Sequence, residues 1–249
     1  LESQNASTDV TTPDHVEETT RSPETDLKRV TLGTFHSVCA KVLRWNGDML
    51  ATLPSIQKDT TESPTPRTLD GNFVILDQSE QLRVLKECLE EKEVDLDSLG
   101  IRAFAVLEAI GKVKASLAQG IDPFKKSKTM PKAAKVAMEV YNPYRQKLLA
   151  RNSVDFDDLI FLARELLLEN VDVRSSLQSR WRYILIDEFQ DTSRSQMDLV
   201  KFLSSSSLFV VGDADQSIYS WRGAEAGSLA DFTNDFDNVA TVYLMENYR

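Results

Sequence analysis

The stretch that most constrains this chain is YILIDEFQDTSRSQMDLVKFL, residues 183–203. Four apolar or aromatic residues, Tyr183 to Ile186, run straight into Asp187 and Glu188, with Asp191 close behind. Carboxylates are costly to bury without a partner, so a core strand that ends in a pair of them must end at a rim. Amphipathic spacing resumes over 193–203 and predicts a helix. The pattern recurs. Strands are expected at 182–186 (RYILI), 207–211 (SLFVV) and 239–244 (VATVYL), with helices at 193–203 and about 223–233 between them. Near-continuous apolar strands separated by helices predict an α/β fold whose parallel sheet is covered by helices on both faces. Residues 29–33 (RVTLG) read as a further short strand, followed by a helix over 34–45 opened by Thr34. Such sheets bind ligands at the carboxyl ends of their strands. TFHS, DEFQDT, GDADQS and ENYR follow the four expected strands, so four polar loops are expected to converge on one cleft.

The remainder reads mainly as helix. Residues 1–28 are rich in Ser, Thr, Pro and acids and poor in large apolar residues, which predicts disorder. Residues 51–71 carry three prolines and several Ser and Thr, and read as a loop or insertion. An amphipathic helix is expected over 77–93, with Asp77 and Glu80 spaced as a capping box and Leu82, Leu85 and Leu89 on one face. Further helices are expected at 101–119, 131–150 and 154–169, with Pro143 breaking or kinking the second near Asn142. The acids of 155–158 (DFDD) read as helix-start residues. No apolar run is long enough to span a bilayer, so no membrane partner is expected. Two cysteines, Cys39 and Cys88, are too few for a disulfide scaffold and favour a reducing, intracellular compartment. His15 and His36 lie too far apart to found a zinc site. The first residue is Leu1, which reads as a piece of a longer chain.

Net charge of −10 argues against nucleic acid, but its distribution does not. Residues 1–28 hold seven acids and two bases, whereas 111–151 hold ten bases and two acids. Local charge is what a phosphate backbone feels. Lys112, Lys114, Lys125, Lys126, Lys128, Lys132 and Lys135 are therefore either phosphate contacts or a solvated helical face, and charge alone leaves both open.

At the rim, a carboxylate at a strand end can hold Mg²⁺, and its neighbour can orient and deprotonate a water. Acids dressing a helix N-terminus are the plainer alternative for Asp187 and Glu188. In GDADQSIYSWRGA, Gly212 permits a tight turn and the neutral Gln216 can hydrogen-bond a phosphate or a water. Tyr219, Trp221 and Arg222 put two rings and a guanidinium within four positions, a platform on which bases stack; a core role for the rings is the alternative. Tyr248 and Arg249 offer a planar ring and a permanent cation to a nucleotide.

Taken together, GTFHS (33–37), VDFDDLI (154–160), LIDEFQDT (185–192), VVGDADQSIYSWRGA (210–224) and ENYR (246–249) resemble, in order, the motifs of the UvrD/PcrA/Rep group of superfamily 1 DNA helicases. VILDQSEQLRVLK (74–86) is similar to the start of that group's helical insertion, subdomain 1B. DEFQ in place of DEAD, with no SAT-type motif after it, separates the chain from the DEAD-box group. The resemblance implies a RecA-like motor domain 1A over 29–45 and 151–249, with an all-helical insertion over 46–150. It implies an ATP-dependent 3′–5′ DNA helicase acting in repair, recombination or replication, with ATP and Mg²⁺ as cofactors. Single-stranded and duplex or fork DNA are the implied partners. Asp187 corresponds to the metal carboxylate, Glu188 to the catalytic base and Gln216 to the γ-phosphate sensor. Arg249 corresponds to a phosphate-stabilising arginine and Tyr248 to the ring stacked on adenine. Phe35, His36, Tyr219, Trp221 and Arg222 correspond to positions that hold single-stranded DNA. In the insertion, Lys125, Lys126 and Lys128 are the expected duplex contacts.

The departures are equally legible. A phosphate-binding loop needs G-x-x-x-x-G-K-[ST]. The sole Gly-Lys pair, Gly111-Lys112, is followed by Val113 inside an expected helix and does not qualify. An acidic tract precedes GTFHS where the group carries that loop, and the chain stops at the arginine of ENYR, so a fragment is expected, inactive by itself. Alternatives are a truncated protein that binds DNA or a partner without hydrolysis, and part of a RecB/AddA-type helicase-nuclease. Ser/Thr-rich acidic insertions suggest a eukaryotic protein, in the nucleus rather than an organelle.

Overall fold

The structure is a computed structural model that describes residues 30–60, 69–118, 130–205, 207–216, 232, 235–236, 238–244 and 246. Residues 1–32 and 33–249 form separate units.

Helix α1 (Phe35–Trp45) begins where expected, with the Thr34 hydroxyl accepting from the Ser37 N–H. A 3₁₀ segment (Gly47–Thr52) leads into α2 (Pro54–Thr60). The expected loop at 51–71 is therefore helical in its first part. Pro54 sits at the first helical position, where a missing N–H costs nothing. The Glu165 carboxylate accepts from the Ser55 N–H (2.9 Å) and from the Ser55 hydroxyl, capping the helix from outside. Residues 61–68 of that stretch lie outside the described residues.

Strand β1 (Val74–Ile75) precedes α3 (Gln78–Glu91), which opens on the expected Asp77–Glu80 capping box. Its buried face is Val84, Leu85, Cys88 and Leu89; Leu82 is only partly buried against it. After α4 (Leu96–Leu99) come α5 (Ala103–Ala118) and α6 (Lys132–Ala150). Pro143 does not break α6, which runs through it unbroken. Proline in a helix interior costs about 3 kcal/mol. Here Val140 and Tyr141 before it and Tyr144, Leu148 and Leu149 after it are all buried, and that packing outweighs the lost hydrogen bond. Strand β2 (Ser153–Val154) pairs in parallel with β1.

Helix α7 (Phe156–Glu169) opens on a second capping box, Asp155 with Asp158, as the DFDD reading expects. Helix α8 (Val171–Arg180) leads to β3 (Tyr183–Ile186). Helix α9 (Arg194–Leu203) opens on a third capping box, Ser193 with Gln196, and β4 (Ser207–Val210) follows. Strands β3 and β4 are parallel, with Tyr183 opposite Ser207 and Ile186 opposite Val210.

The coarse α/β class holds: helices are mixed with two small parallel sheets among the described residues. An extensive sheet does not form among the described residues. Residues 29–33 and 239–244 were expected as strands, and their described residues, 30–33 and 239–244, are not strands. An apolar run states only a preference for strand; a hydrogen-bonded ladder with a neighbour is what makes one. Among the described residues, one face of the β3–β4 pair is covered and the other is not. Ile186, Leu208 and Val210 pack on Phe189, Met197 and Phe232, whereas Tyr183 (70% exposed) and Leu185 (74%) face outward. The expected helix at about 223–233 and the segment 1–28 lie outside the described residues, apart from Phe232.

Apolar packing divides into clusters. One gathers α1, the 3₁₀ segment and α7 around Leu43, Leu50, Ile56 and Leu166. A second is drawn wholly from residues 76–148, around Leu85, Val106, Ile110, Val140 and Tyr144. Between α5, α6 and the start of α7 lies a buried charge. Lys114 Nζ is 2.5 Å from Asp155 Oδ2 and 2.7 Å from Asp158 Oδ1, and the Tyr144 hydroxyl donates to Asp155 Oδ2 at 3.2 Å. Burial works against the Asp155 carboxylate, yet Lys114 and the Asp158 N–H hold it below the usual range. Burial and the neighbouring Asp155 push Asp158 up. Lys114 is therefore an internal counter-ion, and the expectation that it faces phosphates is corrected. Gly111 lets α5 approach α7: a Cβ there would meet Asp157 Oδ2 at 2.6 Å. That close approach, and not phosphate binding, explains the glycine of Gly111-Lys112.

Candidate functional site

At the carboxyl end of β3 the chain turns abruptly. Asp187 is exposed, and its Oδ1 accepts the N–H of Glu188 at 2.9 Å. Glu188 adopts a left-handed backbone (φ 51°, ψ 42°), unusual for a residue with a Cβ. Two bonds hold the turn: the Phe189 N–H donates to the Val211 carbonyl (2.9 Å) and the Asp191 N–H to the Glu188 carbonyl (3.0 Å). Phe189, fully buried, anchors the 3₁₀ turn Phe189–Asp191 beneath the strand ends. Strain of this kind persists only where the surroundings over-determine it.

Because β4 is parallel to β3 and adjacent, its carboxyl-end loop lies beside the first. The Val211 N–H donates to the Ile186 carbonyl (2.8 Å), carrying the ladder one residue past the strands. Asp213 Oδ2 accepts from Gln216 Nε2 (2.7 Å), and Asp213 Oδ1 accepts from the Asp215 N–H (3.0 Å). Gln190 joins the two loops. Its Nε2 donates to Glu188 Oε2 (2.6 Å) and its Oε1 accepts the Asp213 N–H (3.0 Å). Gly212 accommodates this amide: a Cβ there would lie 2.7 Å from Gln190 Oε1. Sequence reasoning missed Gln190. A glutamine following an acidic pair has no special meaning until a second loop lies against it.

The structure thus brings together Asp187, Glu188 and Gln216. Phe35 is partly buried against the α1–α7 core. His36 meets the Phe156 ring edge-on, with centroids 5.8 Å apart, and burial lowers its pKa. Convergence of four loops reduces, among the described residues, to convergence of two. Tyr219, Trp221, Arg222, Tyr248, Arg249, Lys125, Lys126 and Lys128 lie outside the described residues.

No group of three or more His, Cys, Asp or Glu able to cage a metal occurs among the described residues. Mg²⁺ does not require one, since it keeps several waters and takes one or two carboxylates plus substrate phosphates. Asp187 fits that pattern, being exposed at the strand end. Close by in sequence, Asp191 Oδ1 is buried with no hydrogen-bond partner among the described residues.

Acids at the carboxyl end of one parallel strand and a glutamine-bearing loop at the carboxyl end of its neighbour lie where open parallel sheets bind ligands. The model of the UvrD/REP helicase N-terminal domain matches residues 6–237, and the chain belongs to that family. Among its relatives, the ATP-dependent DNA helicase PcrA of Bacillus subtilis is 36% identical over 221 residues, 88% of this chain and 27% of the relative. PcrA of Staphylococcus aureus is 33% identical over 220 residues, again 88% and 27%. A probable DNA helicase II homolog of Mycoplasma capricolum is 33% identical over 224 residues, 88% of this chain and 28% of that protein. The chain therefore spans little more than a quarter of the length of these relatives. All three come from bacteria, which overturns the expectation of a eukaryotic, nuclear protein.

Proposed function

We propose that this chain is part of an ATP-dependent 3′–5′ DNA helicase that couples ATP hydrolysis to translocation on single-stranded DNA and to duplex unwinding. Residues 29–45 and 151–249 belong to motor domain 1A, and 46–150 to the insertion 1B. The apolar cluster drawn wholly from residues 76–148 supports the insertion over that span, whereas Leu50 and Ile56 pack with α1 and α7. The observation that carries the functional reading is the linked pair of strand ends. Glu188, Gln190, Asp213 and Gln216 form one hydrogen-bonded series across β3 and β4.

In the proposed chemistry the Glu188 carboxylate takes a proton from the water that attacks the terminal phosphate. Gln216 keeps one amide hydrogen and its carbonyl oxygen beyond the bond to Asp213, so it can meet a phosphate oxygen. Asp187 would hold Mg²⁺, which supplies charge stabilisation to the phosphates when bound. Arg249 would neutralise the transferring phosphate and Tyr248 would stack on the adenine. Phe35, His36, Tyr219, Trp221 and Arg222 would grip the single strand, and Lys125, Lys126 and Lys128 the duplex ahead of it.

Strand displacement tests the reading. With ATP and Mg²⁺, the full-length protein is expected to separate a partial duplex bearing a 3′ single-stranded tail and to leave a 5′-tailed duplex intact. Displacement without ATP, or from the 5′ tail alone, contradicts it.

A further inference from the structure

We infer that Gln190 is the positioning residue that sets the Glu188 carboxylate and ties it to the loop carrying Gln216; this rests on Glu188 being the base. Gln190 is 3% exposed and spends both ends of its amide. The Nε2 end faces a carboxylate, which only accepts, and the Oε1 end faces a backbone N–H, which only donates. Reversing the amide would set oxygen against carboxylate and N–H against N–H, so the two partners fix its orientation. Few side chains fulfil this role. Glutamate keeps the acceptor for the Asp213 N–H but opposes Glu188 with a second carboxylate. Asparagine is one methylene too short to span both partners. Methionine has neither group.

Gly212 completes the device. A Cβ there would lie 2.7 Å from Gln190 Oε1, 3.2 Å from its backbone N and 3.3 Å from the Phe189 Cβ. The β4 loop therefore closes directly over the amide. Asp213 in turn accepts from Gln216 Nε2. Sensor and base are thus parts of one hydrogen-bonded unit. A movement of Gln216 toward a phosphate draws on Asp213, whose N–H holds Gln190, whose other end holds Glu188.

The test uses the full-length protein, with kcat for DNA-stimulated ATP hydrolysis, Kd for a fluorescent ATP analogue and Tm measured together. Gln190→Glu is expected to lower kcat at least about tenfold, the scale of a lost charge-assisted hydrogen bond, while nucleotide Kd stays within about twofold. In a Glu188→Gln background the same change is expected to cost nothing further, because both act through one group. Gly212→Ala, which crowds the amide without altering its chemistry, is expected to lower kcat with nucleotide Kd again held; it decides the matter if Gln190→Glu does not fold. Wild-type kcat in Gln190→Glu or in Gly212→Ala, or an equal proportional loss in both backgrounds, overturns the inference. Wild-type turnover in Glu188→Gln alone sinks instead the base assignment beneath it.

Discussion

Single residues here take their properties from what surrounds them. Glu188 bends the chain in a conformation that sequence assigns to glycine or asparagine, and nothing in DEFQDT announces it. Asp187 and Glu188 themselves are legible, because two acids after an apolar strand have nowhere to go but the rim. Gln190 is not, because its partner at Asp213 lies on a loop 23 residues away and is brought near only by strand pairing. The cysteines behave oppositely to reactive thiols. Cys39 is buried and its thiol is pushed up to about 12 by that burial; Cys88, also buried, is pushed up to about 11. Neither is expected to react with a thiol reagent at pH 8 in the native protein, and both should react once urea unfolds it. Labelling of the native protein at the rate of the unfolded chain would show that one of them is accessible.

Helices and strands differ in how much of them is local. The starts of α1, α3, α7 and α9 were legible because a cap is a contact between residues three apart: Thr34 with Ser37, Asp77 with Glu80, Asp155 with Asp158, Ser193 with Gln196. Helix α2 was not, because the group that caps it, Glu165, is 110 residues away. The unbroken passage of α6 through Pro143 likewise depends on distant packing. The expected strands at 29–33 and 239–244 show no strand in their described residues: an apolar run states a preference, and only a hydrogen-bonded ladder makes a strand. Lys114 is the tie between α5 and α7. Removing one partner of a buried ion pair leaves charge uncompensated, which costs about 3–5 kcal/mol. Lys114→Met is therefore expected to lower the unfolding free energy by about that amount in urea, whereas the exposed Lys112→Met should stay within about 0.5 kcal/mol. Equal, small effects for the two would mean that the network contributes nothing net.

At the scale of the molecule, the average charge of −10 conceals a basic stretch, and the proposed duplex contacts turn on that local charge. Each duplex phosphate neutralised contributes about 0.9 to the slope of log K against log salt. Lys125, Lys126 and Lys128 changed together to Gln are expected to flatten that slope by at least about one for duplex and fork DNA, with single-strand affinity hardly moved. An unchanged slope would return these lysines to a solvated helical face. Family membership was legible because its motifs are short and ordered along the chain; the compartment was not, since Ser/Thr-rich acidic tracts carry no taxonomic chemistry, and the relatives reported above are bacterial. The central claim is that the paired strand ends perform ATP hydrolysis through Glu188. Its most direct test is single-turnover hydrolysis by full-length Glu188→Gln, alongside titration with a fluorescent ATP analogue. Hydrolysis is expected to fall at least about a hundredfold, the lower end for loss of a general base, with nucleotide affinity retained. Hydrolysis at the wild-type rate would contradict it.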